Sequence, residues 1–155
     1  MDTVYISLAR TLVTAVVAGV LGGLGMIGAM RLITRAEWAH YDMVAAVGSL
    51  VTRSRLNAVR AGLIIHTVSA VVFALLYTLA MAKFGLAHLP TSIFAGILFG
   101  VVHGIIVSIL LVWVVAEEHP LEEFRSAGFA VGLVHFAGHL VYGAIVGLII
   151  GLIAG

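Results

Sequence analysis

Cysteine is absent from the 155 residues, proline occurs twice, and charged residues make up only 10%. Without thiols the chain has no disulfide, no thiolate zinc or iron–sulfur site and no thiol nucleophile, and its redox compartment is left open. Metal chemistry would have to use histidine and carboxylate. The formal net charge of +1, with no basic run, excludes a nucleic-acid-binding face, which needs dense Lys and Arg. Serines are present, but none stands in a nucleophile motif with an identifiable base, and no glycine loop has phosphate-binding spacing. The composition therefore leans away from an enzyme of the hydrolytic kind.

What remains is apolar. Hydrophobic residues make up 63% of the chain and the mean hydropathy is +1.22, far outside the range of water-soluble domains. Four stretches, residues 4–33, 60–82, 91–116 and 127–154, are long enough to cross a hydrocarbon core about 30 Å thick. The first has too long an apolar stretch for a secretory signal and no positive n-region, so it reads as a structural helix. The expected fold is all-α: one domain over 1–155, an integral membrane four-helix bundle. Between spans one and two, residues 36–57 are less hydrophobic and mix Trp38, Tyr41, Met43, Val47 and Leu50 with Arg53 and Arg55. This pattern predicts an amphipathic helix at the membrane interface, with His40 and Asp42 solvated.

Charge gives the orientation. Arg31, Arg35, Arg53, Arg55, Arg60 and Arg125 fall on one side of a four-span topology, against Arg10 and Lys83 on the other. The positive-inside rule then places both termini outside, in a cell (inner) membrane.

Histidine and glycine carry the functional signal. His135, His139, Gly143, Gly147, Gly151 and Gly155 recur at four-residue spacing, each step advancing about 40° round a helix. The two imidazoles and Gly143 thus share a face, and the later glycines drift from it towards span one or a neighbouring subunit. His66 stands on span two in line with Ala70, Phe73 and Tyr77, and His103 on span three between Gly100 and Gly104. Counted from the cytoplasmic ends, His66 lies about six residues deep, His135 about nine, and His103 and His139 about thirteen. Four imidazoles from three spans at overlapping depths form a cofactor-site hypothesis, because ionisable groups in a membrane are expensive and usually face the bundle interior.

Several chemistries suit such a set. His103 with a histidine from span two or four could clamp the iron of haem b, glycines clearing room for the porphyrin. His135 and His139 share one helix face, so only one of them can serve a given haem. Alternatively, they form an i, i+4 pair on a transition-metal ion, completed by His103 or His66. A proton relay would use the same rings but lacks an ionisable group in the outer half. In a purely structural subunit the histidines bond to hydroxyls on facing helices and glue the bundle. At the surface, Glu117, Glu118 and His119, with Glu122 and Glu123, are weaker metal-ligand candidates. Glu117 shares the His103 face but lies about 21 Å along the axis. Gly19 and Gly23 on span one, and Gly143, Gly147 and Gly151 on span four, are expected to pack helices closely, inside the bundle or in a homo-oligomer or larger membrane complex.

The order of these features resembles a group of small four-span bacterial and archaeal membrane proteins of unknown function. The likeness rests on the glycine-rich first span, Asp42-Met43, Val47-Gly48-Ser49-Leu50, His66 with Phe73 and Tyr77, Gly100-x-x-His103, His119-Pro120 and Gly138-His139-Leu140-x-Tyr142-Gly143. It implies the four-span architecture and marks His66, His103, His119 and His139 as pattern positions, but not His135; it implies no activity. The function expected from the residues is a buried histidine site for haem b or a transition metal, in electron transfer or as an accessory subunit. A structural subunit is the alternative, and a small transporter or proton relay the third reading.

Overall fold

The computed structural model describes residues 2–35, 42–125 and 128–153, all in helices and short connections with no strand among them. The helices are α1 (Asp2–Arg35), α2 (Met43–Thr52), α3 (Ala58–Lys83), α4 (Thr91–Glu118) and α5 (Phe129–Ile153). Four of them, α1, α3, α4 and α5, are long and apolar enough to cross a membrane. In hydrocarbon every backbone group needs an internal partner, which leaves these segments little choice but helix.

Burial runs opposite to that of a water-soluble bundle. Small residues make up much of the interior, with Ala18 and Ala74 fully buried beside a few larger ones such as Met81 and Ile150, whereas Leu32, Phe94 and Leu98 are 60% exposed or more. Lipid tails are as apolar as leucine, so large side chains gain nothing by turning inwards; close backbone packing holds the helices together instead. The glycines serve this packing. Across the α4–α5 seam, Gly96 and Gly100 face Gly143 and Gly147 so closely that a Cβ on Gly143 would fall on the Gly96 carbonyl, and one on Gly100 would stand 2.6 Å from the His139 oxygen. Gly147 and Gly151 meet Ser92 on the same helix α4. The ladder on span four is therefore occupied by span three, its neighbour in sequence, and not by span one. On α1, Gly19 sits 2.6 Å (as a Cβ) from the Val71 Cα, and Gly23 meets Ala70 and His66, both on α3.

Helix α1 packs between α3 and α5, and α5 packs on α4, while α3 and α4 scarcely touch. Where they meet, the contact is aromatic: Phe73 and Tyr77 of α3 against His103 and Phe99 of α4. One edge of the bundle is thus left open along the rest of its length.

The helix between spans one and two is shorter than the expected 36–57. Asp42 starts it, its carboxylate accepting from the Ala45 N–H at 3.0 Å, and Arg53 ends it in the left-handed region (φ 51°). Trp38, Tyr41 and His40, like Gly155, lie outside the described residues. One face of α2 is packed against the protein: a Cβ on Gly48 would fall on the Ala58 carbonyl, and one on Gly62 on the Val44 carbonyl. On its other flank the fully buried His119 ring donates from Nε2 to the Ala46 carbonyl (3.0 Å) and accepts at Nδ1 from the Leu121 N–H (3.0 Å). Phe124 seals the same cluster with Met43, Ala46 and Val131.

A bidentate pair closes this latch, Arg55 Nε and Nη2 reaching Glu123 at 2.7 and 2.6 Å. The Arg55 hydrogen bond holds the Glu123 carboxyl below its ordinary 4.5. A depressed folded value means the contribution is complete above 4.5 and is lost as pH falls through the folded value. Hydrogen exchange of α2, corrected for intrinsic rate, is expected to be constant from neutral pH to about 5 and to quicken below 4.5. Glu123→Gln should remove that dependence. The pair is exposed, so the change is a local loosening and not global unfolding.

Candidate functional site

The open edge of the bundle leads into a cavity of about 640 Å³ between α1, α3, α4 and α5, with α2 across its mouth. His66, His103, His135 and His139 all line it. The expected clustering of four imidazoles from three spans is therefore present in the fold. The walls are apolar, with Ile27, Val44, Val59, Ile65, Phe73 and Val107, and the rim carries the exposed Arg31, Arg35 and Asp42.

The rings stand in a row. His135 and His139 are 4.9 Å apart between centroids, His139 and His103 4.5 Å, and His103 rests on Phe73 at 3.8 Å. The glycines expected to clear space do so for the histidines themselves: a Cβ on Gly104 would stand 2.9 Å from that of His139. Two imidazoles on opposite sides of one metal, each about 2.0–2.1 Å from it, would hold their centroids about 6 Å apart. In this conformation His103 and His139, edge to face at 4.5 Å, leave no space for a porphyrin between them.

Hydrogen bonds decide which nitrogens are available. His139 Nδ1 lies 2.9 Å from the His135 carbonyl, and His66 Nε2 lies 3.2 Å from the Gly23 carbonyl. A carbonyl can only accept, so in each neutral ring that nitrogen carries the proton and the other presents a lone pair. His103 Nδ1 is 3.3 Å from the Tyr77 hydroxyl, where either partner can donate. His135 Nδ1 is buried and has no hydrogen-bond partner.

Directly beyond these rings the packing closes. Tyr142 donates to the Ala70 carbonyl at 2.6 Å, and past it Ala74, Met81, Val146 and Ile150 are fully buried in one apolar cluster. The cavity is thus blind towards the far side of the bundle.

The surface candidates do not converge. His119 has both ring nitrogens engaged within the fold, Glu123 is paired with Arg55, and Glu117 accepts from Trp113 Nε1 at 2.7 Å; Glu118 is exposed. Among the described residues no three His, Cys, Asp or Glu side chains are spaced to hold one metal ion. His103, His135 and His139 share the cavity without meeting at a point.

Reading histidine and carboxylate alone overlooked the thioethers. Met26, Met30 and Met43 line the same cavity. The i, i+4 placement of Met26 and Met30 on α1 and the absence of cysteine were the available signals. Comparison with protein-family models, curated proteins and solved structures gives no match. The resemblance to the four-span group accordingly rests on its own short motifs.

Proposed function

We propose that this is an integral membrane protein that holds a transition-metal centre in its histidine-lined cavity, for electron transfer or as the metal-bearing subunit of a larger complex. One observation carries the reading: the backbone bonds of His66 and His139 put a proton on one ring nitrogen and leave a lone pair on the other. This is the arrangement of metal-binding histidines, whose outer nitrogen donates to a carbonyl or carboxylate. His135, buried with an unpartnered nitrogen in the same wall, supplies a further donor. Arg31 and Arg35 at the mouth, read with the positive-inside rule, support an entrance on the arginine-rich, cytoplasmic side, with both termini outside. The blind inner end favours holding a ligand over conducting one.

A second reading concerns the form of the centre. A cavity of about 640 Å³ is of cofactor size and exceeds what a bare ion needs, and two arginines at its rim suit the carboxylates of haem b. Haem would then bind through one imidazole, with the His103–His139 pair left intact.

The test is an optical spectrum with elemental analysis of the protein purified in mild detergent. A Soret band identifies haem; a stoichiometric metal without one identifies an ion. If both are absent, and His66→Ala and His135→Ala alter thermal stability only, the histidines are helix glue and the proposal fails.

A further inference from the structure

We infer that the centre is a soft, monovalent ion of the copper(I) class, bound by the thioether sulfurs of Met26 and Met30 together with the cavity imidazoles. The inference rests on the metal-centre reading and names its ion.

Placement comes first. Three of the five methionines, Met26, Met30 and Met43, line this one cavity. Met26 is only 3% exposed, and Met30 packs against both buried clusters of the molecule. Spaced four apart on α1, Met26 and Met30 share a helix face. Both reach α5 at Gly138, where a Cβ would stand 3.1 Å from Met26 Cγ, Met30 Cγ and Met30 Sδ. Gly138 lies between His135 and His139, so the sulfur-bearing chains enter the turn that carries those imidazoles. On the other flank His66 bonds to the carbonyl of Gly23, less than one turn before Met26. Thioethers from α1 and imidazoles from α3 and α5 are thereby brought to one wall.

The donor set then selects the ion. It contains no thiolate, and its one carboxylate, Asp42, is at the rim and caps α2. Hard cations such as Mg²⁺ and Ca²⁺ need oxygen ligands, and thioether with imidazole is the pairing that favours Cu(I). Every donor is neutral, so the ion keeps its full charge in a low-dielectric interior. The Born cost grows with the square of charge, making a divalent ion about four times as expensive to bury as a monovalent one. Cu(I) also binds with few ligands, which suits a wall where no three histidines or carboxylates converge.

The full chain in mild detergent, kept anaerobic, would be titrated with Cu(I) against a chromophoric Cu(I) chelator, and with Ag(I) as a redox-inert probe. One Cu(I) per chain is expected. Loss of mere outer-shell partners weakens metal sites by about 10–100-fold, so the Met26→Leu/Met30→Leu double variant should weaken Cu(I) binding by about 100-fold or more. Leucine conserves volume, so the variant should fold, with unchanged helicity by circular dichroism. X-ray absorption of the Cu(I) complex should show sulfur neighbours, lost in the variant. Cu(I) affinity that is unchanged in the folded variant, or a copper site without sulfur, overturns the inference. A Soret band without Cu(I) uptake overturns it too, while leaving the metal-centre reading standing; the absence of haem and of any bound metal sinks both.

Discussion

Gly143→Leu is expected to prevent α4 and α5 from docking, the largest structural effect of any single substitution considered. Gly143 stands where the two backbones come closest: a Cβ there would fall on the Gly96 carbonyl and stand 3.1 Å from the Gly100 Cα. Backbone cannot swing aside as a flexible side chain can, so the helices must separate. Overpacking a formed core costs about 1–3 kcal/mol when side chains can adjust, and this site lacks that relief. In the bilayer the seam has no hydrophobic force to hold it and depends on close contact, so the loss extends along Gly96, Gly100 and Gly147. His139, whose carbonyl faces Gly100, moves with the seam. Thermal unfolding in detergent should show a large fall in midpoint, with metal binding lost as well. Gly28→Leu is the control: its Cβ position is open within 4 Å, and little change is expected.

The second large effect concerns chemistry. His139→Gln is expected to abolish metal or haem binding while the bundle still assembles. The buried residue lines the cavity and has its Nδ1 committed to the His135 carbonyl, so what glutamine removes is the Nε2 lone pair. A glutamine side chain retains an N–H donor for the carbonyl, which keeps the structural loss near that of one ordinary hydrogen bond, about 1 kcal/mol. Metal content measured beside the unfolding midpoint separates the two roles. Unchanged metal content with a lowered midpoint would show His139 to be structural. Tyr77→Phe, which removes only the hydroxyl 3.3 Å from His103, is expected to weaken metal binding by no more than the outer-shell range of about 10–100-fold, without abolishing it.

Much of this fold was legible in the chain. The four spans follow from run length and hydropathy, and the observed helix ends fall within a few residues of the expected ones. Pro90 before Thr91 and Pro120 after His119 mark both ends of α4. The four histidines on the apolar spans share a cavity, as their helical spacing suggested. The helix after span one was overextended, because composition cannot show that Arg53 and Asn57 would adopt left-handed backbone and turn the chain sharply into α3. His119 looked like a surface ligand beside four glutamates. Its burial depends on α2 folding back over the connection after α4, a contact between residues some 73 positions apart.

The division has a physical origin. In lipid, backbone hydrogen bonding is satisfied within each segment, so helix existence, length and apolar character are local properties that a linear reading captures. Which face meets which neighbour is settled by backbone approach at a few glycines, and that belongs to pairs of helices. Composition alone could therefore point to a bundle of membrane-length apolar helices with histidines inside it. Only the packing decided that span four's glycines meet span three, that His103 and His139 stand too close to clamp a haem, and that three methionines share their cavity.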